Sequence, residues 1–121
     1  MAWVAAINEA FGYERAGHLF DIGHGRNNAP FRSKYTLGAW YRIIGSRINA
    51  YHIHQVRNTG TPSNNHKSII NWYGGVINFF AFWLAWQKNQ INHKPMFLEL
   101  KSVQCYEESY DALDKIEIFR R

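Results

Sequence analysis

Apolar residues recur at three- or four-residue steps through residues 35–57, a spacing that is typical of an amphipathic helix. The members of this series are Leu37, Trp40, Ile44, Ile48 and Tyr51. Arginines occupy the other side of the predicted helix. The pattern therefore predicts a basic amphipathic helix over residues 35–57.

A second apolar stretch, SIINWYGGVINFFAFWLAWQ over residues 68–87, contains no charged side chain. A helix needs about 20 mostly apolar residues to cross a bilayer core of about 30 Å. The stretch meets that length, and Ser68 can cap its start. Its ends carry tryptophan, tyrosine and lysine, which favour the boundary between membrane and water. We therefore predict a transmembrane helix, with a buried helix of a water-soluble helical bundle as the alternative.

Small and amide side chains would share one side of this predicted helix, because their spacing alternates between three and four residues. Such residues allow close contact and hydrogen bonding between membrane helices. We predict that this side packs against another protein subunit. The predicted packing residues are Asn71, Gly74, Gly75, Asn78, Ala81 and Ala85.

The other segments are predicted to be polar arms and linkers. Residues 1–34 should hold a short helix, over about residues 2–16, and a loop rich in glycine and asparagine. Residues 58–67 form a polar linker. Residues 88–121 form an extended polar arm, in which MFLELKSV could be a strand and the last part a short helix. The predicted fold is thus mainly α, with one transmembrane helix, one interfacial helix and two extended arms.

The net charge of +5 adds a possible lipid partner. Basic residues beside a membrane span attract anionic phospholipids such as cardiolipin. The basic residues are dispersed along an apolar helix rather than clustered with exposed aromatics, so nucleic acid is not the expected partner. The predicted headgroup contacts are Arg42, Arg47, Arg57, Lys67 and Lys88.

Two loose patterns suggest nuclease chemistry. Arg47 and His52 match the Arg-x4-His spacing of HEPN ribonucleases, in which one helix presents both residues to the RNA phosphodiester. Glu99 and Lys101 resemble half of a PD-(D/E)xK nuclease site, but no acidic residue lies between Asp21 and Glu99 to complete it. An exposed helix face and an exposed extended arm are the simpler interpretations, and no catalytic residue is predicted.

The histidines do not show the spacing of a metal site. His52 and His54 would point about 200° apart if both were on one helix. The others, His18, His24, His66 and His93, are scattered through predicted loops and boundaries. With a single cysteine, no zinc or disulfide pattern exists either. The sequence therefore predicts no metal and no cofactor.

The order of a basic aromatic helix, a charge-free helix and a polar arm resembles single-span accessory subunits of mitochondrial inner-membrane complexes. The similarity is carried by YTLGAWYRIIGSRINAYHIHQVRN, SIINWYGGVINFFAFWLAWQKNQ and HKPMFLELKSV. It implies a non-catalytic subunit that supports assembly of an electron-transport complex, with other subunits as partners. The alternatives are a subunit similar to subunit f of ATP synthase, a free-standing single-span protein, and a helical ribonuclease of the HEPN type.

Overall fold

The computed structural model of the chain describes residues 2–12, 17–27, 36–57, 64–69 and 75–115. Helices and short parallel strands alternate along this part of the chain, which is the order found in α/β proteins. The elements are α1 (Ala2–Phe11), β1 (His18–Asp21), α2 (Ile22–Asn27), α3 (Leu37–Ile44), a 3-10 turn (Gly45–Arg47), β2 (Ile48–Ile53), α4 (Phe79–Gln87), β3 (Met96–Leu98) and α5 (Val103–Lys115).

The three strands form one parallel sheet in the order β1-β2-β3. Parallel neighbours require a crossover connection, and α2 and α3 lie between the first two strands while α4 lies between the last two. Residues paired across parallel strands project to the same face. One row contains Phe20, Tyr51 and Met96, and the next row, on the opposite face, contains Asp21, His52 and Phe97.

The core lies where α4 covers the sheet. Phe79 and Trp83 are buried on α4, four residues apart and therefore on the same helix side. The Phe82 ring meets the ring of Tyr51 edge to face, with centroids 5.3 Å apart. The apolar residues of this region are thus buried against the strands of the same chain.

The prediction of one amphipathic helix over residues 35–57 is wrong. Thr36 caps α3 by accepting a hydrogen bond from the Ala39 N–H at 3.1 Å, but the helix ends at Ile44. The chain then makes a 3-10 turn and continues as β2. In β2, Ile48, Tyr51 and Ile53 are buried through strand geometry, and β-branched and aromatic side chains favour strands.

The prediction of a mainly α fold with a transmembrane helix over residues 68–87 is also wrong. Among the described residues, no helix has the length and apolar character needed to cross a bilayer. Within that stretch, α4 has nine residues and begins only at Phe79. The single-pass location in the mitochondrial inner membrane, which depended on this helix, is corrected with it.

Gln55 provides the physical reason why no helix extends through Ile77. Its side-chain Nε2 donates to the Ile77 carbonyl at 2.9 Å, and its Oε1 accepts the Ile77 N–H at 3.0 Å. The Val76 N–H donates to the Val56 carbonyl. These peptide groups are therefore bonded to the end of β2 rather than to a helical turn, and the buried Gln55 amide is satisfied at the same time.

Candidate functional site: a histidine and carboxylate cluster

Polar side chains follow the carboxyl end of each strand in the sheet. Asp21 ends β1, His54 comes directly after β2, and Glu99 comes directly after β3. In parallel α/β sheets, this edge is where ligands bind. The fold therefore brings together three residues that are far apart in the sequence.

Asp21 also positions His24. The carboxylate Oδ1 accepts the His24 backbone N–H at 2.8 Å, so Asp21 caps the first turn of α2. This turn brings the His24 side chain back over the carboxylate, and its Nε2 lies 3.9 Å from Asp21 Oδ2. One short segment thereby supplies two members of the cluster.

His66 reaches the cluster from the loop between β2 and α4. Residues 64–67 are held by backbone hydrogen bonds between Gln55 and Lys67, at 2.9 and 3.0 Å. His66 itself has a backbone φ of 58°, in the left-handed region that is uncommon for residues other than glycine. Such backbone strain is concentrated at functional sites in proteins.

The tautomer of His66 is set by a hydrogen bond to the backbone. Its Nδ1 lies 3.0 Å from the carbonyl oxygen of Glu99. A carbonyl oxygen can only accept, so Nδ1 carries the proton and donates it. In the neutral ring, Nε2 therefore keeps a free lone pair, the arrangement that metal-binding histidines normally have.

His54 is the most unusual member of the cluster. Its side chain is fully buried, and within the described part of the chain neither ring nitrogen has a hydrogen-bond partner. The Asp21 carboxylate lies 3.8 Å from Nδ1, which is too far for a hydrogen bond. Burial and the neighbouring histidines lower the pKa of His54 to about 3. The ring is consequently neutral near pH 7, with a lone pair available for a ligand.

Gly23 makes room for the His54 ring. A Cβ atom added at Gly23 would overlap His54 Nε2 and its neighbouring ring carbons. The imidazole is therefore packed against the backbone of α2 itself. The ring position of His54 depends on a residue that has no side chain.

Two overlapping sets of ligand atoms converge in this cluster. One set contains His24, His54 and His66, and the other contains Asp21, His54 and Glu99. In each set, the ligand atoms lie within 4.8 Å of one another. The three imidazole rings are in mutual contact, with centroid separations from 4.2 to 5.0 Å. Nitrogen and carboxylate ligands thus surround one small volume.

The electrostatics of the cluster favour a positive ion. Burial raises the pKa of Asp21, and the nearby Glu99 carboxylate raises it further, while the hydrogen bond from His24 acts in the opposite direction. Two carboxylates that approach one another are unfavourable when both are ionised. A divalent cation between them would offset this repulsion and stabilise the ionised forms.

His52 lies beside these residues but belongs to neither set. Its Nδ1 is 3.4 Å from Glu99 Oε2 and 3.8 Å from Asp21 Oδ2. The side chain is 31% exposed, so it reaches both the carboxylates and the solvent. This position suits a group that exchanges protons with a bound molecule.

Of the residues predicted to pack a membrane helix against a partner, Ala81 and Ala85 lie four residues apart on α4, whereas Gly75 lies before the helix. Gly75 pairs with Arg57 in an isolated antiparallel bridge. Asn78 caps α4, where its Oδ1 accepts the Ala81 N–H at 3.0 Å. Ala81 is exposed. Of the other three, Ala85 is half-buried on α4, and Asn71 and Gly74 lie outside the described residues.

The predicted lipid contacts are spread over several elements. Arg42 is exposed on α3, Arg57 is exposed after β2, and Lys88 is exposed after α4. Arg47 and Lys67 are half-buried. The described contacts do not test lipid binding, which stays a prediction.

Of the histidines that are scattered along the sequence, the structure brings His24 and His66 together with His54. His54 follows a strand rather than lying on a helix, so the angular argument against a site does not apply. The HEPN pattern needed Arg47 and His52 on one helix, but they lie in the 3-10 turn and in β2. Lys101 is exposed beside Glu99. A sequence signal exists for two members of the site, because Asp21 and Glu99 each come directly after a short apolar run.

A comparison of this chain with models of protein families, with curated proteins and with solved structures finds no match.

Proposed function

We propose that this protein binds one divalent transition-metal ion at the carboxyl edge of its sheet and uses it in catalysis. His24, His54 and His66 would provide nitrogen ligands, and Asp21 or Glu99 would add a carboxylate. The main support for this proposal is the burial of the His54 imidazole without a hydrogen-bond partner among the described residues. A buried imidazole with no hydrogen-bond partner among the described residues is costly unless a ligand satisfies it.

The chemistry of the ligands indicates which ions fit. Imidazole suits zinc, iron, nickel and copper, whereas magnesium and calcium prefer sites made of oxygen ligands only. Three histidines with one carboxylate therefore favour a first-row transition metal. Ligand atoms that surround zinc tetrahedrally at about 2.1 Å lie roughly 3.4 Å from each other. The ligand atoms of this cluster, which lie within 4.8 Å of one another, would therefore have to move closer to each other on binding.

The exposure of the ligands supports a catalytic rather than a purely structural ion. The His24 and His66 side chains are 33% and 31% exposed, and that of Glu99 is 44% exposed. Structural zinc sites are closed by four protein ligands, whereas catalytic sites keep a position open for water or substrate. Here the buried His54 would anchor the ion, and solvent would reach it from the opposite side.

The surroundings suggest the class of reaction. A bound metal ion polarises an oxygen atom of a substrate or a water molecule and lowers its pKa. His52 is in position to take up or give back the proton that is released, because it contacts both carboxylates and reaches the solvent. We propose metal-assisted acid–base chemistry on a small molecule that presents an oxygen to the ion.

The accessory role in an electron-transport complex, like its ATP synthase and ribonuclease alternatives, stays a prediction that no finding tests. Its main support was the transmembrane helix, and that support is gone. Nothing in the described residues bears on partner subunits. The metal-dependent function, in contrast, has a specific geometric basis in the cluster of histidines and carboxylates.

The test is a measurement of metal content and affinity. The full chain, stripped with a chelator, is dialysed against Zn²⁺, Mn²⁺, Ni²⁺ or Mg²⁺, and bound metal is measured by mass spectrometry. We expect one Zn²⁺ per chain and negligible Mg²⁺. His54→Leu should abolish stoichiometric binding, whereas His93→Gln, which changes an exposed histidine outside the cluster, should not. Equal Zn²⁺ binding by wild type and His54→Leu would refute the site.

A further inference from the structure

A buried pair of asparagines connects His24 to the loop that carries His66. The Asn27 and Asn65 side chains are both 5% exposed. Their amides are joined at 2.6 Å between Asn27 Nδ2 and Asn65 Oδ1, and Asn65 Nδ2 lies 3.3 Å from His24 Nδ1. A chain of two amides therefore ends on one nitrogen of a candidate metal ligand.

The direction of these hydrogen bonds determines where His24 carries its proton. If Asn65 donates its N–H to Nδ1, then Nδ1 accepts and the proton of the neutral ring is on Nε2. Nε2 is the nitrogen that faces the Asp21 carboxylate, at 3.9 Å from Oδ2. A protonated nitrogen has no lone pair and cannot bind a metal ion.

Reversal of both amides gives the opposite tautomer with the heavy atoms in the same places. The oxygen and nitrogen of an asparagine amide are nearly equal in size, so their assignment follows from the hydrogen-bond network. In the reversed network, Asn65 Oδ1 accepts a proton from His24 Nδ1, and Asn65 Nδ2 donates to Asn27 Oδ1. The proton of the neutral ring is then on Nδ1, and the lone pair is on Nε2, the nitrogen 3.9 Å from Asp21 Oδ2.

We propose that the Asn27–Asn65 pair is a positioning device that sets the tautomer of His24, and thereby decides whether His24 can bind the metal. This inference rests on the metal site proposed above. His66 needs no such device, because the Glu99 carbonyl fixes its tautomer directly. Partners of this kind typically change metal affinity by about 10- to 100-fold when they are removed.

Two substitutions should fix the same tautomer by different routes. In Asn65→Asp, the carboxylate can only accept, so it takes a proton from His24 Nδ1 and another from Asn27 Nδ2. In Asn27→Asp, the carboxylate accepts from Asn65 Nδ2, so Asn65 Oδ1 is left to face His24. Asn65→Leu removes the amide and leaves the tautomer of His24 unset. Asn64→Asp adds the same charge to the same loop and serves as the control.

The tautomers are read from two-bond proton–nitrogen correlations of ¹⁵N-labelled histidine in the full, metal-free chain. We expect His24 to carry its proton on Nδ1 in Asn65→Asp and in Asn27→Asp. Zn²⁺ affinity in both should equal or exceed that of the wild type, and should fall by about 10- to 100-fold in Asn65→Leu. Asn64→Asp should match the wild type in both measurements.

The outcomes separate this inference from the metal site itself. A His24 that carries its proton on Nε2 in both aspartate variants overturns the inference, whatever the protein binds. Equal Zn²⁺ affinity of the Asn65→Leu variant and the wild type also overturns the inference. A wild type that binds no metal refutes the proposed function, whereas the tautomer measurement in the metal-free chain still decides whether the asparagine pair controls His24.

Discussion

The imidazole rings of His54 and His66 lie with their centroids 4.2 Å apart, although one follows a strand and the other belongs to a loop. His66 is held by a hydrogen bond to the Glu99 carbonyl, whereas His54 has no hydrogen-bond partner among the described residues. A satisfied ring beside an unsatisfied one is unfavourable in a core that serves only stability. This arrangement is expected where a metal ion binds the nitrogen atoms that have no hydrogen-bond partner.

Gly23→Ala should weaken metal binding. The added methyl group would overlap the His54 ring, and because that ring is buried it must move away from the other ligands. Overpacking of this kind costs about 1–3 kcal/mol of unfolding free energy. We expect a lower melting temperature and a Zn²⁺ affinity at least tenfold weaker.

Gly38→Ala is the matched control, because Gly38 is also in a helix but is exposed, and the nearest atoms to an added Cβ are 3.8 Å away. It should leave metal binding unchanged and stabilise the chain by about 0.5–1 kcal/mol through helix propensity. If Gly23→Ala behaves like Gly38→Ala, the packing of His54 against α2 is not what holds the ring.

Asp21→Asn should separate the role of Asp21 as a helix cap from its role as a charged group in the cluster. Asparagine is as good a helix cap as aspartate, so the hydrogen bond from the His24 N–H should persist. The charge next to Glu99 is removed, and the metal-free protein should be as stable as the wild type or more so. Metal affinity should nevertheless fall, because an anionic ligand or neighbour is lost.

Calorimetric unfolding and Zn²⁺ titration of Asp21→Asn and Asp21→Ala measure both roles. The alanine variant should also lose about 1 kcal/mol of unfolding free energy with the cap. Undiminished Zn²⁺ affinity in both variants would show that Asp21 acts only as a cap.

The metal-free protein should lose stability as the pH falls from about 6.5 towards 3. The pKa of His54 is lowered to about 3 in the folded chain, against an ordinary value of 6.5, so unfolding takes up a proton throughout this interval. Each such proton contributes a slope of up to about 1.4 kcal/mol per pH unit. Burial raises the pKa of Asp21, and this works in the opposite direction above pH 3.8.

Denaturant titrations with chelator present, in the Asp21→Asn background, isolate the histidine contribution. His54→Leu should flatten the slope by about one proton. A slope in His54→Leu that equals that of the parent protein would mean that His54 does not titrate as the structure requires.

Asn78→Ala should destabilise the chain by about 0.5–2 kcal/mol, because α4 would lose the cap that its Oδ1 provides to the Ala81 N–H. Asn78→Asp should retain most of the stability, since aspartate caps equally well. Thermal unfolding gives the comparison. Equal melting temperatures for the alanine variant and the wild type would contradict the start of α4 at Phe79.

The apolar pattern predicted where the helices lie better than it predicted the strands. The segment that includes Leu37 and Ile44 is helical, as its spacing indicates, but Ile48 and Tyr51 continue the same spacing by coincidence and lie on a strand. In a strand of only six residues, two buried residues can be three positions apart without any helix, as Ile48 and Tyr51 are. Gly45 and the β-branched and aromatic residues after it, Ile48, Tyr51 and Ile53, were the local signals for a change of structure.

The charge-free stretch was misinterpreted because composition alone does not reveal what covers an apolar surface. Phe79 and Trp83 are buried against the sheet, whereas Phe80 is 55% exposed. The hydrogen bonds of Gln55 to Ile77 are tertiary and leave no pattern within residues 68–87. A uniformly apolar helix is equally compatible with lipid and with a sheet of the same chain.

The candidate site could not be predicted from spacing, because its members lie 3 to 78 residues apart along the chain and meet only through parallel pairing. Asp21 and Glu99 become neighbours through β2, which lies between their strands. The tautomer of His66 and the isolation of His54 depend on backbone groups and burial. These are properties of the folded chain that residue types do not indicate.

The most direct test of the metal site is anomalous X-ray diffraction at the zinc absorption edge from crystals grown with Zn²⁺. We expect one strong peak enclosed by His24, His54 and His66, about 2.0–2.1 Å from a nitrogen of each ring, with a carboxylate oxygen of Asp21 or Glu99 completing the site. A density map with well-ordered histidines and no anomalous peak between them, at a zinc concentration that saturates the protein in solution, would contradict it.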